Sequence, residues 1–152
     1  VNEGTVDTKG YDLTARTDFN LGAMGRLQNL VQYSNVNSYT INDGENLIGY
    51  QGNPGTRWSL SNMWTYQRVQ TALTFNHIAG QNLGAASTHT KAYMTTNLSV
   101  TYRHPTKTTV SVGVRNLEGK LPQLITYDGR PWNFSLYDAL GRQVYFRLTQ
   151  AL

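Results

Sequence analysis

Tyr50, Tyr127 and Trp132 fall in two long polar stretches that also carry Asp43, Asp128 and Arg130. Such a mixture has one evident use: rings stack on a sugar or another flat ligand while charged groups hydrogen-bond its edge. Tyr50, Tyr127, Asp128, Arg130 and Trp132 are therefore the candidate ligand-contacting residues. A solvated loop has the same composition and is the plainer reading. The residue types that carry catalysis are present without the spacing that catalysis needs. His77, His89 and His104 lie in three separate segments, with no HExxH or comparable ligand spacing. Serines are plentiful, but nothing in the sequence pairs one with a histidine and an orienting third group. With 0 cysteines, thiolate metal sites and disulfides are excluded. "GYQGNPG" precedes a strand, whereas a phosphate-cradling loop follows one and opens a helix. The expectation is a protein that is not an enzyme and has no metal or cofactor.

Composition narrows the class further. Charged residues make up 14% of the 152-residue chain, against about a quarter in an ordinary soluble domain. Neutral polar residues and 10 tyrosines take their place. The formal charge of +4 comes from scattered Lys and Arg, with only Arg103 to Lys107 hinting at a cluster. A nucleic-acid partner is excluded on that ground, since its footprint is a basic stripe. The longest run without a polar side chain is Leu21 to Gly25, far short of the roughly 20 apolar residues of a membrane helix.

The elements that must position these residues alternate with a period of two. Lys9 to Phe19 sets Tyr11, Leu13, Ala15, Thr17 and Phe19 against Asp12, Thr14, Arg16 and Asp18. Val110, Val112 and Val114 oppose Thr109, Ser111, Gly113 and Arg115 in the same way. Arg26 to Tyr39, Arg57 to Gln67, Arg68 to Ile78, Lys91 to Arg103 and Gly141 to Leu152 follow the pattern, with Leu30 breaking it in the second segment. Period two gives a sheet with one dry and one wet face. The connections alternate as well. Asn20 to Gly25, the Gln67 and Arg68 junction, and His104 to Lys107 are short; Asn42 to Gly55, Gly80 to Thr90 and Leu117 to Gly141 are long. All 4 prolines fall in connections, where a missing N–H breaks no ladder bond. Short turns at one end and long loops at the other are the pattern of an outer-membrane barrel. Strands about twice the usual five or six residues favour it over a soluble sandwich. The fold expected is thus all-β: an antiparallel transmembrane β-barrel segment of about seven long strands with short periplasmic turns and long extracellular loops. Trp64, Tyr66 and Tyr102 beside short turns fit an interfacial girdle. A self-contained small barrel and a soluble lipocalin-like binder remain open on these residues alone.

"NLSVTYRHPTKTTVSVGVRNLEGKLPQ" followed by "RPWNFSLYDALGRQVYFRLTQAL" resembles the end of TonB-dependent receptors of the bacterial outer membrane. Gly113, Arg115, Asn116 and Leu117 match the family's G-x-R-N-L-F-D-like signature, and Tyr137, Asp138, Gly141 and Arg142 match its Y-D-x-x-G-R element. "NEGTVDTKGYDL" and "NPGTRWSLSNMW" are similar to two upstream stretches in the family's order. Glu118 and Gly119 stand where the family usually has Phe and Asp, and Leu152 where it usually has Phe. The resemblance implies that residues 1–152 are the C-terminal portion of a plugged barrel of about 22 strands, without the plug domain. It also implies an energy-coupled importer of a scarce nutrient such as a siderophore, a cobalamin or an oligosaccharide. The partners implied are the remaining strands and plug of the same receptor, outer-membrane lipid, and TonB reached through the plug.

Overall fold

The computed structural model describes residues 4–50, 52–83, 89–125 and 129–151. They form a single antiparallel sheet of seven strands in sequence order. The strands are β1 (Val6–Asn20), β2 (Arg26–Ile41), β3 (Thr56–Tyr66), β4 (Val69–Ile78), β5 (Tyr93–Arg103), β6 (Thr108–Arg115) and β7 (Gln143–Gln150). A 3₁₀ turn at Gly22–Met24 joins β1 to β2. Both β1 and β2 run further toward the long-loop end than the alternation alone suggested. There a register shift between Lys9 and Gly10 bends the pair without breaking it.

Register explains how seven separate alternations become two continuous faces. Phe19 pairs with Leu27, Leu27 with Trp64, Trp64 with Thr71, Thr71 with Val100, Val100 with Val112 and Val112 with Phe146. Directly opposed residues share a face, so this is one mainly apolar row across the whole sheet. A wet-face row nearer the long loops runs Thr14, Gln32, Ser59, Asn76 and Thr95. A slip of one residue in any strand would exchange its faces, which is why the short turns matter. Gly25, at φ 91°, closes the first turn, and a Cβ there would strike the Thr65 backbone. Trp64 Nε1 donates to the Met24 carbonyl at 2.9 Å and ties β3 to that turn. Tyr66 and Val69 are paired, leaving only Gln67 and Arg68 in the β3–β4 hairpin.

Trp64 and Tyr66 stack at 5.9 Å on the dry face beside the short turns, and Tyr66, Val69 and Tyr102 share a row. The dry face stays solvent-accessible: Leu13 is 58% exposed and Phe146 67%. A soluble sheet would cover such a face. Among the described residues, the buried side chains sit instead in and around the long loops, with Gln81, Asn133, Asn116 and Tyr137 all within 8% exposure. The sheet is open, with β1 and β7 as its two edges and no ladder between them.

Candidate functional site

The wet face and the long loops above it form the part of the molecule able to meet a ligand. On the wet face, cross-strand pairs satisfy one another: Ser61 and Thr74 hydroxyls lie 2.6 Å apart, and those of Thr101 and Ser111 2.9 Å. Asp18 is held by Arg26 through Nε at 2.6 Å and by Gln28 Nε2 at 3.0 Å. Toward the loop end the face deepens into an open groove of about 420 Å³ whose wet-face lining includes Asp12, Gln32, Arg57, Ser59 and Asn76. It offers one acid, one base and neutral donors and acceptors.

The loops are laced together above this wall. Gln81, 4% exposed, accepts from the Gly52 N–H at 2.6 Å and donates from Nε2 to the Tyr137 hydroxyl at 2.8 Å. Its backbone N–H donates to Thr90 Oγ1 at 2.8 Å. One glutamine therefore joins all three long loops. The Asn82 N–H adds a bond to the Gly49 carbonyl at 2.6 Å, and Tyr50 forms an isolated bridge with Asn82. Tyr137 packs edge-on against Tyr93 at 5.1 Å, and burial pushes its phenol above the ordinary tyrosine range. Sequence reasoning missed Gln81, which carries no local signature.

Residues picked out by motif organise the β6–β7 loop. Asn116, at φ 51°, turns the chain out of β6 through the left-handed region that asparagine tolerates. Its Oδ1 accepts from Lys120 N–H at 2.9 Å, its Nδ2 donates to the Lys120 carbonyl at 2.7 Å, and its own N–H donates to Asn97 Oδ1 at 2.9 Å. Arg142 Nε donates to the Leu117 carbonyl at 2.8 Å, Asp138 Oδ1 accepts from Leu140 N–H at 2.9 Å, and Gly141 has φ 66°. The Tyr145 ring lies where a Cβ on Gly113 would go, and the Arg115 guanidinium is 5.6 Å from that ring. All eight positions thus build the β6–β7 corner or the wall beneath it.

The candidate ligand residues are divided. Arg130 lies 5.4 Å from the Phe134 ring, which packs against Trp132 at 4.9 Å. Tyr50 belongs to the separate β2–β3 loop group with Asn82. Tyr127 and Asp128 lie outside the described residues. Among the described residues no cluster of histidine, aspartate and glutamate is arranged to hold a metal ion.

A comparison with known families decides the setting. The family described as TonB dependent receptor-like, beta-barrel matches residues 1–117. The chain belongs to this family. No curated protein and no solved structure matches it. TonB-dependent receptor barrels are outer-membrane transport proteins of Gram-negative bacteria rather than enzymes, and the chain is part of such a barrel. In that barrel the dry face is the outer surface and the wet face the wall of the lumen. The Tyr137 to Arg142 element lies beyond the matched residues.

Proposed function

We propose that the chain supplies the C-terminal wall and three outer loops of an energy-coupled importer. The import would serve a scarce nutrient of the siderophore, cobalamin or oligosaccharide class, driven by TonB acting through a plug domain elsewhere in the receptor. The observation that carries this reading is the polar groove bounded by Asp12, Gln32, Arg57 and Asn76 on the wet face, the face that lines the lumen of a transmembrane barrel. A ligand descending from the loops meets paired hydroxyls and amides that can exchange partners with it at little cost, because each already has a hydrogen bond to trade. Trp132, with Arg130 and Phe134 beside it, and Tyr50 on the neighbouring loop group are the proposed outer contacts, together with Tyr127 and Asp128. The open sheet supports reading residues 1–152 as a portion of the barrel, with β1 and β7 pairing to strands outside this sequence.

In the intact receptor, Trp132→Ala and Arg57→Ala each lower uptake of the cognate nutrient while the amount of heat-modifiable barrel in the outer membrane stays at the parental level. Parental uptake in both variants overturns the assignment of ligand contacts to this wall and these loops.

A further inference from the structure

Charge on the wet face is one-sided across most of the sheet. The sequences of β3 to β7 contain the arginines Arg57, Arg103, Arg115 and Arg147 and no aspartate, glutamate or lysine. All of these arginines stand on the wet face. Arg57 shares a row with Ser34 and Ile78, Arg147 with Ser111 and Arg103 with Thr109, and Arg115 follows the dry-face Val114. Along the strands, from the loop end to the short turns, they come in the order Arg57, Arg115, Arg147, Arg103. Among the described residues the ion pairs are Lys9 with Asp7 and Arg26 with Asp18, so no acid neutralises any of them. Arg103 is committed to Gln70 Oε1 at 2.5 Å beside the short turns. The Arg57 and Arg115 guanidinium groups have no hydrogen-bond partner among the described residues.

Arg57 and Arg115 also border adjoining grooves. Arg57 lines the groove of about 420 Å³, Arg115 lines a second of about 260 Å³, and Asn76 and Ile78 line both. Asn76 on β4 and Thr95 and Asn97 on β5 add amide and hydroxyl groups on the strands between the two arginines. Arg57 is near enough to the loops for its charge to act on the Tyr137 phenol. The acids at the groove rims stand apart from the arginines. Asp12 is two strands from Arg57, with Ser34 between them, and Asp138 Oδ1 accepts from the Leu140 N–H at 2.9 Å. We propose that the imported nutrient is an anion whose carboxylate or phosphate groups are bound by Arg57 and Arg115. A guanidinium meets either oxyanion through two parallel N–H donors. Cations lining a cleft without acids focus a field that draws an anion in. An acidic surface of the plug is the competing occupant. The grooves favour the nutrient, because both lie open beneath the loops from which it descends. The inference rests on the importer reading and narrows its substrate to one charge class.

The test titrates the whole purified receptor in detergent at low salt with tricarballylate, pyrophosphate and the neutral sugar maltotriose. At least one of the two anions binds saturably, more weakly as salt rises, and maltotriose does not; the stronger anion distinguishes carboxylate from phosphate chemistry. Arg57→Gln combined with Arg115→Gln weakens anion binding about tenfold or more. Arg57→Lys combined with Arg115→Lys keeps the charge and retains binding, and Arg68→Gln, which removes one charge at the β3–β4 turn, leaves it at the parental level. Three results overturn the proposal: no saturable binding of either anion, the result expected where plug acids occupy the arginines; unchanged binding in the double glutamine variant; or equal weakening by Arg68→Gln. Uptake that still falls in Trp132→Ala after such a failure leaves the importer reading standing and removes the anionic substrate alone.

Discussion

The β5–β6 ladder stops at Leu98 and Val114, so Thr96 has strand β4 on one side and only the start of the loop on the other. Glu118 fills that edge. Its carboxylate accepts from the Thr96 N–H at 3.0 Å and from the Thr96 hydroxyl, while the Leu117 N–H donates to the Thr96 carbonyl at 2.8 Å. This gives a physical role to an acidic residue where the family usually carries Phe. Partial burial pushes the Glu118 carboxyl up. The hydrogen bonds from Thr96 and from Glu118's own N–H, with the Lys120 charge, outweigh that and hold it below the ordinary carboxylate range. A depressed value fixes the sign: the contact stabilises the corner above the ordinary carboxylate range and weakens as pH falls through the lowered value. Acidification should therefore shift the Thr96 amide resonance and loosen the 116–120 corner, and Glu118→Gln should remove that pH dependence. A Thr96 resonance equally pH-dependent in both proteins would assign the effect elsewhere. The left-handed exit from β6 restricts the residue type at Asn116, which is why that position stands out in the sequence. Gln81 does not stand out, because bonding three loops at long sequence separation demands only an amide in the right place.

At the scale of the strand, the period-two pattern identified all seven elements, and register then aligned their dry faces. The alternation could not show which residues share a row, since that depends on turn geometry and on the shift at Lys9 and Gly10. That Thr17, Asn29 and Asn62 share one row of the dry face was hidden for this reason. Leu30, which breaks the pattern of β2, pairs with Arg16 and Ser61 on the wet face. Adjacent positions in β4 test the sidedness. Leu73 pairs with Leu98 on the dry face, and Ala72 with Ser99 on the wet one. Leu73→Arg should cost about 2–4 kcal/mol near mid-membrane, whereas Ala72→Arg reaches lumen water and should cost little. The midpoint of reversible unfolding in detergent or lipid measures both. Asn97 would be a poor wet-face control, because its Oδ1 already accepts from Asn116 at 2.9 Å. Equal costs at Leu73 and Ala72 would reject the assignment of faces.

Over the whole molecule, the decisive feature is that the sheet ends in two free edges. Antiparallel closure in single-chain bacterial barrels uses an even number of strands, and seven cannot close on themselves without placing β1 and β7 parallel. In hydrocarbon every unpaired backbone group costs several kcal/mol, so neither edge can remain open in the membrane. Charged groups blunt β1 in part: Asp7, Lys9, Asp12, Arg16 and Asp18 recur along it, as on strands that must resist the wrong partner. β7 is shorter and carries Val144, Phe146 and Leu148 outward, each more than 60% exposed. Residues 1–152 expressed alone should give no heat-modifiable species in detergent, and the amides of Lys9 to Phe19 and Gln143 to Thr149 that face away from β2 and β6 should exchange rapidly. In the assembled receptor those amides should be protected to the level of β3 and β4. A heat-modifiable monomer from residues 1–152, with β1 and β7 amides protected, would overturn the portion reading and make these strands a self-contained barrel.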